Sequence, residues 1–109
     1  MPEVPENFAH GCYLGYVFIE NEALKGNWNR DRIMVELGER SIPVTVGSCP
    51  EIYREKVITS AGINLGERLP VARELGETCL AFQVHPRLKQ QHMESMCREI
   101  RAIMRVAVK

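Results

Sequence analysis

No two cysteines in this chain are spaced as Cys-x-x-Cys, and no apolar run is long enough for a membrane helix. Cys12, Cys49, Cys79 and Cys97 stand far apart, so neither a zinc ribbon nor a redox pair is spelled out. Cys79 lies in an apolar run and Cys97 on the apolar side of a helical pattern. Both read as small buried hydrophobes, and the chain as reduced and cytoplasmic. A membrane helix needs roughly 18 apolar residues in sequence. The N-terminal stretch, Met1 to Asn7, is acidic and rich in proline, unlike a secretion signal. Charge of one sign is also missing. Fourteen Lys and Arg balance fourteen Asp and Glu, which argues against nucleic acid held by general electrostatics and leaves little repulsion against self-association. Gly62-x-x-x-Gly66 is not followed by Gly-Lys-Ser/Thr, so no phosphate loop is present. His10, His85 and His92 lack the spacing of a metal pair, and no metal site is expected.

What is present fits one soluble domain. At 109 residues, 45% of them hydrophobic, the chain can bury a core but has little to spare for a deep ligand cavity. Residues 78–84, Thr-Cys-Leu-Ala-Phe-Gln-Val, form a short apolar run between Gly76 and His85-Pro86. Such a run reads as a strand buried on much of both faces, hence the centre of a sheet. Residues 1–9 form an arm, because Pro2 and Pro5 oppose regular structure. Residues 10–109 form the domain. Cys12 to Ile19 is the first strand, interrupted by Gly15. Asn29 caps a helix over Arg30 to about Glu39, in which Gly38 is awkward unless it ends the helix. Ile42 to Val46 is the second strand, with Pro43 favouring an edge.

Gly47-Ser48-Cys49-Pro50 is a turn by composition. A short helix follows over Glu51 to about Ile58, then a loop over Thr59 to Arg68. Pro70 opens the next helix, with Gly76 as its stop. The last helix runs from about Lys89 to Val106. Its stripe of Met93, Met96, Cys97, Ile100, Ile103, Met104 and Ala107 reads as core. The right-handed crossover makes strands one and two parallel, and the third strand slots between them, antiparallel to both. The fold class expected is α+β: a two-layer domain with a three-stranded mixed sheet of order 1-3-2 and helices on one face. The second face of the sheet then lacks cover, a setting that favours a partner.

Several stretches together resemble a known family: Asn29-Arg-Asp-Arg-Ile-Met34, Gly47-Ser-Cys-Pro-Glu-Ile-Tyr53, Arg68-Leu-Pro-Val-Ala-Arg-Glu-Leu-Gly-Glu-Thr78 and Phe82-Gln-Val-His-Pro86. From about His10 onward the chain resembles the C-terminal small domain of the DegT/DnrJ/EryC1/StrS aminotransferases. These are fold-type-I enzymes that use pyridoxal phosphate, many acting on sugar nucleotides. The resemblance implies the fold of that domain and a place beside a substrate cleft. It does not carry the catalyst across. In the family the cofactor lysine, the acid at the ring nitrogen and the phosphate turns belong to a longer N-terminal large domain, to which nothing here corresponds. The lysines here, Lys25, Lys56, Lys89 and Lys109, fall in a loop, on a short helix or at helix ends. No catalytic residue and no cofactor are therefore expected of the chain in isolation.

The resemblance makes Gly47, Ser48, Glu51, Tyr53 and His85 candidates for a substrate loop. A carboxylate and a phenol two residues apart could grip sugar hydroxyls. The plainer reading is a helix-start Glu and a half-buried Tyr. A strand-end His can act as a general base, but more often it bonds to backbone in a turn. The function expected is a free-standing interaction or oligomerisation module, with a homodimer favoured and no nucleic-acid or membrane partner. A truncated or mobile gene, such as an integron cassette, is one source for such a chain. Two alternatives stand beside it. The chain could complete a pyridoxal-phosphate aminotransferase with a separately encoded large-domain protein. It could also bind a small ligand through the 47–53 loop.

Overall fold

The strand in the middle of the sheet is β3, Cys79–Gln83, and the rest of the fold is hung on its two faces. A computed structural model describes residues 4–63 and 66–109. The first three residues of the arm and positions 64–65 of the expected loop lie outside the described residues. In chain order the elements are β1 (Leu14–Phe18), α1 (Arg30–Glu39), β2 (Val44–Thr45), α2 (Lys56–Ser60), α3 (Pro70–Thr78), β3 and α4 (Gln90–Ala107). Single 3-10 turns occupy Asn21–Ala23 and Ile52–Arg54. The sheet order is β1-β3-β2. Both ladders are antiparallel, with Tyr16 opposite Ala81, Val17 opposite Leu80 and Val44 opposite Phe82. The outer strands therefore point the same way and the middle strand runs against both, so the sheet is antiparallel in every pairing and not the mixed sheet expected.

Several boundaries moved, each for a local reason. β1 begins only at Leu14, because Cys12 enters it at φ +33°, a left-handed conformation outside the ladder's range. β2 is two residues long, pinched between Pro43, which cannot donate to a ladder, and Gly47 at φ +81°. The expected helix over 51–58 is split, since Glu55 is extended (φ −62°, ψ 145°) between the 3-10 turn and α2. Gly76 does not stop α3, which continues to Thr78 and passes straight into β3.

The ends of α1 show how side chains set a boundary. Asn29 Oδ1 accepts from the Arg32 amide at 2.8 Å, the expected cap. Gly38 lies inside the helix and does not end it. At the C-terminus the Ile42 amide donates to Leu37 O (3.0 Å) and the Ser41 amide to Gly38 O (2.9 Å). This is a Schellman motif with Ser41, at φ +60°, in the left-handed position that glycine usually fills. Its apolar contact is supplied by Leu37 and Ile42, both in the core.

The core lies between the sheet and the pair α1 and α4. Leu24, Ile33, Leu37, Ile42, Leu80, Ile103 and Ala107 are buried, with Val44, Phe82, Met96, Ile100 and Met104 packed against them. On α4 the inner seam is Met96, Ile100, Ile103 and Ala107, at successive steps of four, three and four. Cys97 is one residue off that seam and is exposed, contrary to the expectation of burial. Met93 is also exposed, one turn before the core begins. After α4 the chain pairs back on the segment before α1: the Lys25 amide donates to Ala107 O at 2.8 Å and the Lys109 amide to Ala23 O at 3.1 Å.

The opposite face of β3 is not bare. Cys79 and Ala81, on the side away from Leu80, keep only 7% and 1% of their surface. Residues 47–50, leaving β2, cover them: a Cβ at Gly47 would sit 3.6 Å from both Ala81 Cβ and Cys79 Sγ. Phe18, opposite Cys79 at the end of β1, and Tyr13, just before the strand, stay exposed. Tyr13 is 89% exposed and Phe18 53%.

Candidate functional site

Four of the five candidate residues belong to the loop that follows β2, and the structure shows what holds that loop. It leaves β2 through Gly47, whose backbone conformation favours glycine. A Cβ there would also lie 2.7 Å from Tyr16 Cε1, too close for a real contact. Tyr16 Oη and Ser48 Oγ are 3.4 Å apart. Pro50 rests on α3 where Gly76 has no side chain, and a Cβ at that position would be 2.6 Å from Pro50 Cγ. Gly76 is thus a close-approach glycine inside a helix, a role composition does not distinguish from a helix stop.

Glu51 and Tyr53 stand together at the next step. Tyr53 Oη donates to Glu51 Oε1 at 2.7 Å and accepts from the Leu69 amide at 3.0 Å. Arg68 closes a two-pronged pair on the same carboxylate, Nε to Oε1 at 2.7 Å and Nη2 to Oε2. Arg54 adds a longer contact at 3.9 Å. The Arg68 hydrogen bonds, helped by the Tyr53 hydroxyl, hold the Glu51 carboxyl down at about 2 against an ordinary 4.5. Arg68 is correspondingly pushed up by the same bonds. Arg68 also approaches Glu77 at 3.8 Å, and Glu77 pairs with Arg73 at 2.8 Å, so the clasp continues along α3. A ligand reaching Glu51 would have to displace Arg68 or Tyr53 from it. Nearby, the exposed Cys49 thiol donates to Glu55 Oε1 at 3.1 Å, which raises it.

His85 lies elsewhere. Its Nδ1 accepts from the Arg87 amide at 3.1 Å in the turn after β3. The ring lines a cleft of about 310 Å³ between the start of β2, the end of β3 and the first turns of α4. None of Gly47, Ser48, Glu51 or Tyr53 lines that cleft. The fold therefore brings the four loop residues together and sets His85 apart. Arg68 opens the 68–78 stretch, and nothing in the sequence marks a role for it. It is separated from Glu51 by seventeen residues, and no local spacing signals the pair.

All four lysines are exposed. Lys25 Nζ donates to Val106 O and Lys109 Nζ to Glu22 O, each at 2.7 Å. The first is a cation at the C-terminal end of α4, favourable for the helix dipole. An imine-forming lysine needs an amine pKa lowered by burial or by a neighbouring cation, and none of these four has the burial. Among the described residues no cluster of three or more His, Cys, Asp or Glu could hold a metal ion. Among them also, no helix is long and apolar enough to cross a membrane.

Comparison with known proteins agrees with this small-domain architecture. No family model matches the chain, and no curated protein matches it. Among solved structures, the X-ray structure of the aminotransferase from Psychrobacter cryohalolentis is similar over 89% of this chain, with a TM-score of 0.83 and 36% sequence identity. The matched region is 25% of that protein, so the chain spans about a quarter of the aminotransferase's length. A fold shared this closely at this identity makes the chain aminotransferase-like in architecture.

Proposed function

We propose that this chain is a small domain of the sugar-aminotransferase type. It works through protein contacts and does not transaminate by itself. The observation that carries the reading is the likeness of fold: 89% of this chain is similar to the aminotransferase at 36% identity and a TM-score of 0.83. The four exposed lysines support the absence of bound pyridoxal phosphate from the isolated chain. Its natural contact is a second copy of itself. β1 is an edge strand that ends on the exposed ring of Phe18 and is preceded by the exposed ring of Tyr13, and a net charge of zero offers little repulsion. A two-fold dimer buries the same patch on both copies.

Two measurements test this. Purified chain mixed with pyridoxal phosphate and reduced with borohydride should carry no stoichiometric adduct on any one lysine by mass spectrometry. A single labelled lysine overturns the non-catalytic part. Sedimentation at micromolar concentration should show a dimer that Tyr13→Glu with Phe18→Glu converts to monomer, whereas a monomeric parent chain overturns the self-association. A second reading is that the chain acts together with a large-domain protein, because the solved structure it is similar to is an aminotransferase. Together the two chains would form a complete pyridoxal-phosphate enzyme. Co-purification of such a protein, with transaminase activity appearing only in the mixture, decides for it.

A further inference from the structure

The cleft beside His85 combines an apolar floor with a rim of hydrogen-bond donors. Ile42, Leu88 and Met96 form the floor; Ile42 is a core residue and Met96 packs against the core. The rim carries His85 and His92. Each ring's Nδ1 accepts a backbone amide, from Arg87 at 3.1 Å and from Lys89 at 3.3 Å. A neutral imidazole that accepts at one nitrogen carries its proton on the other, so both rings present Nε2–H as a donor. Arg40 lines the same cleft and holds Glu99 through Nη1 to Oε2 at 2.9 Å. A guanidinium has five N–H donors, more than one carboxylate oxygen uses. Ser41, Gln83 and Ser95 also line the cleft. The charged groups lining the cleft are thus Arg40 and Glu99, beside two donating imidazoles.

We propose that this cleft binds a small organic anion, with a carboxylate or phosphate head on the His85, His92 and Arg40 donors and a short apolar stem on Leu88 and Met96. The Arg40 N–H groups that Glu99 does not engage and the two imidazole Nε2–H groups favour an acceptor head over an ammonium. Glu99 is the built-in competitor, because it already occupies Arg40. The site is independent of the self-association proposed above, since it involves neither Tyr13 nor Phe18.

The test is an NMR titration of the full chain, reading the three histidine rings, with n-butyrate, n-butyl phosphate, inorganic phosphate and n-butanol as probes. His10, far along the chain on the approach to β1, is the internal control. Butyrate or butyl phosphate should shift His85 and His92 saturably in the millimolar range and leave His10 in place. The arm that saturates at lower concentration identifies the head. Inorganic phosphate should bind more weakly for want of a stem, and butanol should not bind. Arg40→Gln should weaken the better probe roughly fivefold, the scale of one exposed charge contact. Glu99→Gln should tighten it by a similar factor by freeing Arg40, a gain that a generally sticky surface would not show. The proposal is overturned if no probe saturates, if His10 shifts in parallel, or if Glu99→Gln fails to tighten binding.

Discussion

The two faces of β3 are covered by different means. Toward α1 and α4 the cover is a continuous apolar seam, in which Leu80, Leu37 and Ile103 are each 1% exposed. On the other side the cover is an irregular loop. It is held at Gly47 and Gly76 by the absence of side chains, and at Glu51 by the Arg68 clasp. The first face draws on the hydrophobic effect, which is non-directional and tolerant of small shifts. The second depends on a few contacts of fixed geometry. Burial there still succeeds, since Ala81 is 1% exposed, but it rests on particular residues and not on a pattern.

That contrast can be broken at its strong end first. Leu80→Ala should cost about 2–5 kcal/mol, the range for a buried leucine cut back in a core, measured by urea denaturation. A loss well under that range would mean that α1 and α4 collapse onto the gap and the seam is softer than it looks. Gly76→Ala probes the loop side. An alanine inside a helix would normally gain about 1 kcal/mol over glycine. Here its methyl meets the rigid Pro50 ring, so a net loss of about 1–3 kcal/mol is expected, as for overpacking. Stabilisation by this change would show that Pro50 does not rest on α3 in solution.

A smaller effect sharpens the comparison on the core side. Ser41→Gly removes a non-glycine residue from the left-handed position of the Schellman motif. It should stabilise the fold by about 0.5–1 kcal/mol in thermal unfolding. The smallest effect concerns the clasp and is a matter of pH. The folded-state pKa of Glu51 is depressed to about 2 from 4.5. Its contribution is therefore fully present above about 4.5 and is lost as pH falls toward about 2. Glu51→Gln should lower the urea midpoint at neutral pH and flatten its fall over that acid window. An unchanged acid profile would show that the Arg68 pair is not maintained in solution.

Much of the fold was legible because its signals are periodic or local. The run from Cys79 to Val84 with breakers on both sides marked the central strand, Asn29 marked a cap, and the stripe on α4 marked its inner face. The misreadings have a common cause. Gly76 was read as a stop and Gly38 as a candidate end, because glycine serves helix ends and close approaches alike. The residue that ends α1 is Ser41, whose identity carries no such signal. Cys97 was placed in the core because a stripe read in one dimension is wider than the seam α1 and the sheet can fill. Of the candidate residues, Glu51 and Tyr53 were recognised as neighbours two positions apart, but their shared partner Arg68 is distant in sequence.

By itself the sequence determined the class of the domain, the order of its elements, the 1-3-2 sheet and the apolar face of its longest helix, since periodicity and short-range capping chemistry act along the chain. Only the tertiary structure decided that a loop covers the second face of the sheet, that Glu51 is tied to Arg68, and that Arg40 lines one cleft with His85 and His92. Those contacts join residues far apart in sequence. Their geometry depends on how close two backbones come, and no local pattern of residues encodes that distance.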